Sequence, residues 1–462
     1  MAKRYGVCNK NQERGTNMKK TIALLMALLM LVGIIPAMAE APADITSWII
    51  VENPEKLEGE LNFWVPFKGS QGMDDMIAEF NSIYPNIKIN LNVFSNNTDG
   101  DASVNSAMVA GEVDVLASFG LHHTYKRWEN AMFVDLSDKV KELGIDLVAN
   151  WGSDAYTYDG SVYTFPCGGL GHYVAINMTD WNEAGLGELP TEWTWDEYLA
   201  ASAKMTKGEG DTKVYGGADY SSIEYFTWPW YQVHGKDNLY TAEGKSNLTE
   251  PLIINALKRE IKAEQEDGIW FPLVTFRADN IKAADAFQNH NVASIIVCNL
   301  VRYLNPETAT WITGFAPYPV EEKGQTNYVS GIPIFSHVGI STECEQQEAA
   351  WAFTAFYATY GSKYLIKAGH ASTWKGTDAS GMIEMLFGSE ENAAKVVDVE
   401  SFKRCVVNYE NPAYIDTVIT AYDEVMAIAK EYCMYAHQGT MTVEAAMAEA
   451  AEKCNEAIAD AQ

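Results

Sequence analysis

The sequence predicts an α/β protein of two lobes, and three observations carry that prediction. A chain of 462 residues is longer than one compact core organises. Past residue 56, period-2 and period-3.6 apolar patterns alternate, the pattern of strands joined by crossover helices. Finally, the stretch Tyr158–Thr206 reads as a turn, a glycine-rich passage and a fresh strand-helix unit, as where a chain leaves one lobe for another.

The first 39 residues stand apart. Lys19-Lys20, an apolar run from Ile22 to Ile35, Pro36 and Ala37-Met38-Ala39 make a secretory signal peptide. The run is shorter than the roughly 18 residues a membrane span needs. Residues 1–17 do not fit this leader, so Met18 is the more natural start and Glu40 the expected mature N-terminus. Residues 40–56, with Pro42 and Pro54, predict a tether with little structure.

Leu61, Phe63 and Val65 then alternate as a strand. Met73, Met76, Ile77, Phe80 and Ile83 follow at helical spacing, closed by Pro85, and Ile87, Ile89, Leu91 and Val93 alternate again. This β-α-β unit predicts a parallel pair with a right-handed crossover. A helix over 104–110, stopped by Gly111, leads to a third strand at Val113–Leu116. Ligands of open α/β sheets lie beyond the carboxyl ends of the strands. Two loops therefore become candidates, Pro66–Ser70 with Phe67 and Lys68, and Ser118–His123 with Phe119 and His122. The alternative is that both phenylalanines only cap the sheet. Adjacent His122 and His123 on a strand would point to opposite faces, which argues against a metal site.

Asp159-Gly160 signals a hairpin turn, and Gly168, Gly169 and Gly171 give backbone freedom before a buried strand at Tyr173–Ile176. Thr194 is placed to cap a helix whose first turn holds Asp196 and Glu197. Residues 225–231 pack five rings around Pro229, more than one helix face buries, and Pro229 argues against an uninterrupted helix. That predicts a loop or helix start, with Tyr225 as a ligand platform and Trp228 and Trp230 as core. A helix over Leu252–Ile261, a strand over Val292–Val297 ending in Cys298-Asn299-Leu300, and a capping box Thr342-x-x-Glu345 follow. Trp374, in a polar loop, is a candidate edge contact. Tyr409, Pro412 and Tyr414 precede the closing helices, and Val443, Met447, Ala450, Cys454 and Ile458 form the last apolar stripe.

Several of these segments carry a resemblance: Tyr-Asp-Gly-x-x-Tyr-x-x-Pro at 158–166, the strand ending in Asn177, Glu183-Ala184-Gly185-Leu186, Thr194-Trp195-Asp196-Glu197-Tyr198, and Tyr-Phe-Thr-Trp-Pro at 225–229. In that order they resemble the family 1 extracellular solute-binding proteins, ligand receptors of ABC importers that include maltodextrin-binding proteins. The similarity runs from about Leu57 to the C-terminus and rests on the order of many weak motifs. It implies a type II periplasmic-binding-protein fold, with lobes at 57–166 plus 330–392 and at 167–329 plus 393–462. Phe315–Pro319 and Tyr328–Gly331 would be the return strand, and the crossings would lie near Pro166, Ser330 and residue 392. The implied function is capture of a solute, a sugar or oligosaccharide first, in the interlobe cleft, and its delivery to membrane permease subunits by a monomer without cofactor. The implied ligand contacts are Phe67, Lys68, Phe119 and His122 from one lobe. From the other come Tyr225 as the stacking ring, Glu224 beside it, and Asn299; the tryptophan platform that relatives carry near Leu300 is either absent or supplied by Tyr303. Trp374 and Tyr414 complete the set. Relatives in single-membrane bacteria begin the mature chain with a lipid-modified cysteine; Glu40 departs from that, so a periplasmic or freely secreted protein is expected. The alternatives are a polysaccharide-binding adhesion protein, a receptor for peptide or polyamine and, last, a glycoside hydrolase.

Charge narrows the partners. The formal net charge is −29, and removing the leader's +5 leaves −34, a field that repels nucleic acid and anionic membranes. No catalytic motif is complete: Gly69-Ser70-Gln71-Gly72 is no nucleophile elbow, and Gly244-Lys245-Ser246 lacks the earlier glycine of a phosphate loop. The six cysteines beyond the leader are scattered without a C-x-x-C pair, which predicts small buried hydrophobes more than a disulfide framework.

Overall fold

The computed structural model describes residues 48–461 apart from 155, 221–223, 236–238, 379–380, 410 and 414–419, and not the side chains of Glu224 and Tyr225. The leader, Glu40 and Tyr414 lie outside the described residues. The strands are β1 (Gly59–Val65), β2 (Ile87–Val93), β3 (Val115–Phe119), β4 (Phe165–Gly169), β5 (Tyr173–Asn177), β6 (Ser294–Val297), β7 (Thr313–Pro317), β8 (Ile334–Ile340) and β9 (Ala371–Ser372). They form two sheets, one of six strands in the order β2-β1-β3-β8-β4-β9 and one of three in the order β6-β5-β7. This is the mixed α/β architecture of a type II periplasmic-binding-protein fold.

The six-stranded sheet starts from the expected β-α-β unit. β1 pairs in parallel with β2 and with β3, and Leu61, Phe63 and Val65 are fully buried on one face of β1. Helix α1 (Met73–Ile83) turns Met73, Met76 and Phe80 inward. β8 then enters antiparallel between β3 and β4, from more than 200 residues downstream. β4 carries Pro166 and shifts register around Cys167, a bulge that lets proline sit inside a sheet. The chain therefore stays in this sheet to Gly169, and the crossing comes at 170–172, later than Pro166. Asp159-Gly160 does turn the chain, with Tyr158 and Ser161 exchanging two backbone hydrogen bonds, but only as an isolated bridge.

The three-stranded sheet is buried on both faces, which explains its unbroken apolar runs. Tyr173, Ala175, Ile295, Val297 and Phe315 face one cluster with Phe287 and Phe402. Val174, Ile176 and Ile296 face another, built around Trp181, Trp193, Trp195, Trp228 and Trp270. Helix α2 (Leu121–Glu129) packs on the large sheet against β3 and β8. Helix α3 (Trp195–Met205) begins at the predicted cap, where Thr194 and Glu197 form a reciprocal capping box. Helices α4 (Glu224–His234) and α5 (Pro251–Ile261) pack together on the small sheet's side.

Several expectations give way to tertiary packing. Pro229 does not end α4; so near the helix start it removes one backbone bond, while Phe226, Trp228 and Tyr231 are buried around it. Trp48 and Ile49 are buried, with Trp48 against Trp151 and Phe165, so the end of the expected tether is docked. The Thr342 box does not form: α6 (Gln347–Ala358) starts after Gln346, and Thr342 donates to Ala131 O at 3.3 Å. Helix α7 (Gly381–Phe387), expected with the first lobe, puts Met382, Ile383 and Phe387 in the cluster with Phe315 and Phe402. Ile366, before β9, joins the same cluster. Helices α8 (Tyr422–His437) and α9 (Val443–Asp460) close the chain, packing on each other and on α5. Cys167, Cys298, Cys344, Cys405, Cys433 and Cys454 are free thiols.

Candidate functional site

The two candidate loops of the large sheet meet at its carboxyl edge. Phe67 and Phe119 pack edge to face, ring centres 5.0 Å apart, and both contact the ring of His370 at 4.9 and 5.5 Å. Both phenylalanines are buried at the end of the sheet. Burial, with Arg302 as a second cause, holds His370 neutral and pushes its pKa down to about 3. Lys68 is exposed and caps a short turn, its N–H donating to Gln71 Oε1 at 2.9 Å.

His122 and His123 lie on the first turn of α2, not on a strand, and their rings are 3.9 Å apart. His122 stacks on Tyr422 of α8 at 4.5 Å, with Nε2 3.6 Å from the Asp423 carboxylate, which also pairs with Lys126. This joins a helix of the large sheet to a helix of the small sheet's side. Asp101 holds His123 at 3.3 Å and the buried Arg127 at 2.7 Å. Burial first, then neighbouring His123, pushes the His122 pKa down to about 4, so the ring is neutral near pH 7. Among the described residues no group of three or more His, Cys, Asp or Glu is placed to hold a metal ion.

On the other side, Glu224 and Tyr225 occupy the first turn of α4. The ring-rich run divides by helical phase. Trp228 is buried 4.2 Å from the ring of His172 in the crossing, whereas Trp230 is half-buried near His234. His172 is neutral as well, its pKa pushed down to about 3 by burial. Asn299, just after β6, abuts Gly369: a Cβ on that glycine, which has φ +86°, would lie 3.2 Å from the Asn299 carbonyl. Since His370 follows Gly369, a continuous contact runs from Phe67 and Phe119 through 369–370 to Asn299. Tyr303 is 39% exposed, with the Arg302 guanidinium 4.7 Å over its ring. Trp374 turns inward, Nε1 donating to Asn150 Oδ1 at 3.1 Å, and packs edge-on to Tyr360.

The passages between the sheets are tight. A Cβ on Gly171 would come within 1.6 Å of the Tyr409 ring, and one on Gly331 within 2.6 Å of Ala413 N. Beside them is a cavity of about 60 Å³ lined by His172, Pro317, Ser330, Arg404 and Asn411 among others. His172, His370, Tyr422 and Asp423 were not singled out from sequence. Each lies in a segment whose partner is distant in the chain, and no local periodicity marks them.

Comparison with known proteins follows this geometry. A family model described as bacterial extracellular solute-binding protein matches residues 67–364. A search of curated proteins finds no match. Among solved structures, an ABC substrate-binding protein from Listeria monocytogenes in complex with cycloalternan superposes with a TM-score of 0.69 at 16% identity, over 87% of this chain and 99% of that one. A solute-binding protein from Thermotoga lettingae bound with α-D-tagatose gives 0.65 at 18% identity, over 87% and 100%. Maltose-bound MalE3 of T. maritima gives 0.64 at 17%, over 86% and 99%. At such identities the likeness is one of fold.

Proposed function

The chain belongs to the bacterial extracellular solute-binding protein family, and on that premise we propose that it is the exported receptor of an ABC importer for a sugar or oligosaccharide. The observation that carries this reading is the weaving of two sheets from interleaved segments, with passages between them at 170–172 and around 331. Such crossings let two lobes rotate about few residues while each sheet stays intact. Ligand bound between the lobes favours the closed form in proportion to its extra contacts there, and the permease reads that form. Among the described residues no helix is long and apolar enough to cross a membrane.

Sugar is the first ligand class because structural neighbours were solved with cycloalternan, tagatose and maltose. Aromatic rings also suit pyranose faces. Tyr225 is the proposed platform, with Glu224, Asn299, Lys68, His122 and Tyr414 as polar or edge contacts. Phe67 and Phe119 would shape the floor, and Trp374 would support the rim from inside. A thermal-shift screen of sugars, peptides and polyamines identifies the ligand, since binding to the native state raises Tm. Tyr225→Ala should then weaken calorimetric affinity by roughly tenfold, a loss of about 1.4 kcal/mol, with the urea midpoint nearly unchanged. An unchanged affinity, or a collapse of stability, would show the ring to be core.

A further inference from the structure

We propose a second saccharide site on the outer side of the small sheet, separate from the cleft between the lobes. A cavity of about 250 Å³ opens there, lined by Phe287, Gln288, Tyr303, Asn305, Thr308 and Trp311, and reaching Thr313 and Val396. Its position follows from β7. Thr313, at the start of that strand, borders this cavity, while Pro317, at its end, borders the cavity beside the crossings. Four residues of extended chain separate the two by about 13 Å. Tyr303, expected from sequence to replace a platform in the cleft, lines this cavity instead.

The lining specifies the ligand class. None of its residues is charged, in a chain where 21% of residues are. An anion or cation would find no counter-charge among the described lining side chains, Arg302 being engaged over the Tyr303 ring, and a purely apolar ligand would bury the amides and hydroxyls of Gln288, Asn305, Thr308 and Thr310. Two rings are partly accessible: Tyr303, with one face taken by the Arg302 guanidinium at 4.7 Å, and the half-buried Trp311, whose ring meets Phe287 at 5.8 Å and His290 at 5.3 Å. Aromatic faces beside amides and hydroxyls match a neutral polyol, whose ring presents C–H groups on its faces and hydroxyls at its rim. Gln288 already donates to the Tyr303 carbonyl at 2.7 Å, which fixes the backbone under the ring. Such a site would hold a longer glycan by a second point while the cleft takes its end. The site rests on its own lining; only this second-point role rests on the proposed reading of the cleft.

Saturation-transfer NMR with maltotriose, titrated into the mature protein, tests it. A weak saturable event is expected that Tyr303→Ala weakens at least fivefold and Tyr303→Phe preserves, because the ring face and not the hydroxyl is used. Ala309→Glu, which puts a charge at the exposed lip, should abolish it; Tm should hold in all three variants. If maltotriose binds once, and that event is indifferent to Tyr303→Ala and Ala309→Glu, the second site is overturned while the cleft receptor stands. If it binds nowhere, the second site is overturned as well. Binding lost only together with Tm marks these residues as structural and overturns it too.

Discussion

The two sheets are stabilised in different ways. The six-stranded sheet has backbone pairing across most of its width, and its carboxyl edge is closed by Phe67, Phe119 and His370. In the small sheet β5 lies between two strands, β6 and β7 gain only single outer bridges to Asp219 and Val397, and the sheet relies on side chains, with five tryptophans on one face and Phe287, Phe315 and Phe402 on the other. Three strands are marginal without such packing. Register and strand number thus carry more of the first region, while the second depends more on individual rings.

The largest test of that contrast is Trp270→Ala. The indole is fully buried, donates to Ser202 Oγ at 3.3 Å and meets Trp195 and Tyr198. Its truncation should cost about 3–5 kcal/mol, read from urea denaturation by fluorescence and circular dichroism. A loss below about 1 kcal/mol would break the comparison. Two separated transitions, with only one displaced, would sharpen it into independent unfolding of the two regions.

Acid should act from the other side. His337 on β8, His370 and His172 are neutral in the fold, each with its pKa pushed down to about 3 by burial. His337 faces Trp128, Tyr156 and Thr164; His172 faces Trp228; His370 faces Phe67, Phe119 and Phe335, with Arg302 the one charged neighbour. In the unfolded chain these imidazoles take up a proton near pH 6.5, so their contribution to stability is present above that pH. It is lost as pH falls from 6.5 toward 3, by about 2 kcal/mol for each ring between pH 7 and 5. Stability against urea should fall over that interval, and His337→Gln should flatten the slope. A pH-independent midpoint would contradict it.

The smallest effect joins the two regions. Lys126 and His122 meet Asp423 and Tyr422 across them, on partly exposed side chains. Lys126→Gln should leave the melting temperature alone and weaken the proposed closure by about 0.5 kcal/mol, roughly twofold in ligand affinity. The effect should shrink further at high salt. Affinity that drops tenfold would instead place Lys126 on the ligand.

The local rules that read correctly from sequence share one property: their partners are close in the chain. The β-α-β opening, the Thr194–Glu197 capping box and the tight turn at Asp159-Gly160 need only a few neighbouring residues. The apolar runs of β5 and β6 were likewise legible, because strands buried on both faces leave no alternation to misread. The errors arose where distant chain competes for the same groups. Thr342 is drawn to the Ala131 carbonyl, so its box is lost. Pro229 stays helical because neighbouring rings are buried by both helix and sheet. His122 and His123 turned out helical, and Asp423, the partner of His122, comes from near the far end of the chain. The sequence by itself determined the alternation of elements and the family pattern. Only the tertiary structure decided that β8 lies antiparallel between β3 and β4, and that Tyr303 lines a cavity beside Trp311, because those outcomes depend on which buried surfaces meet, and no spacing along the chain encodes that.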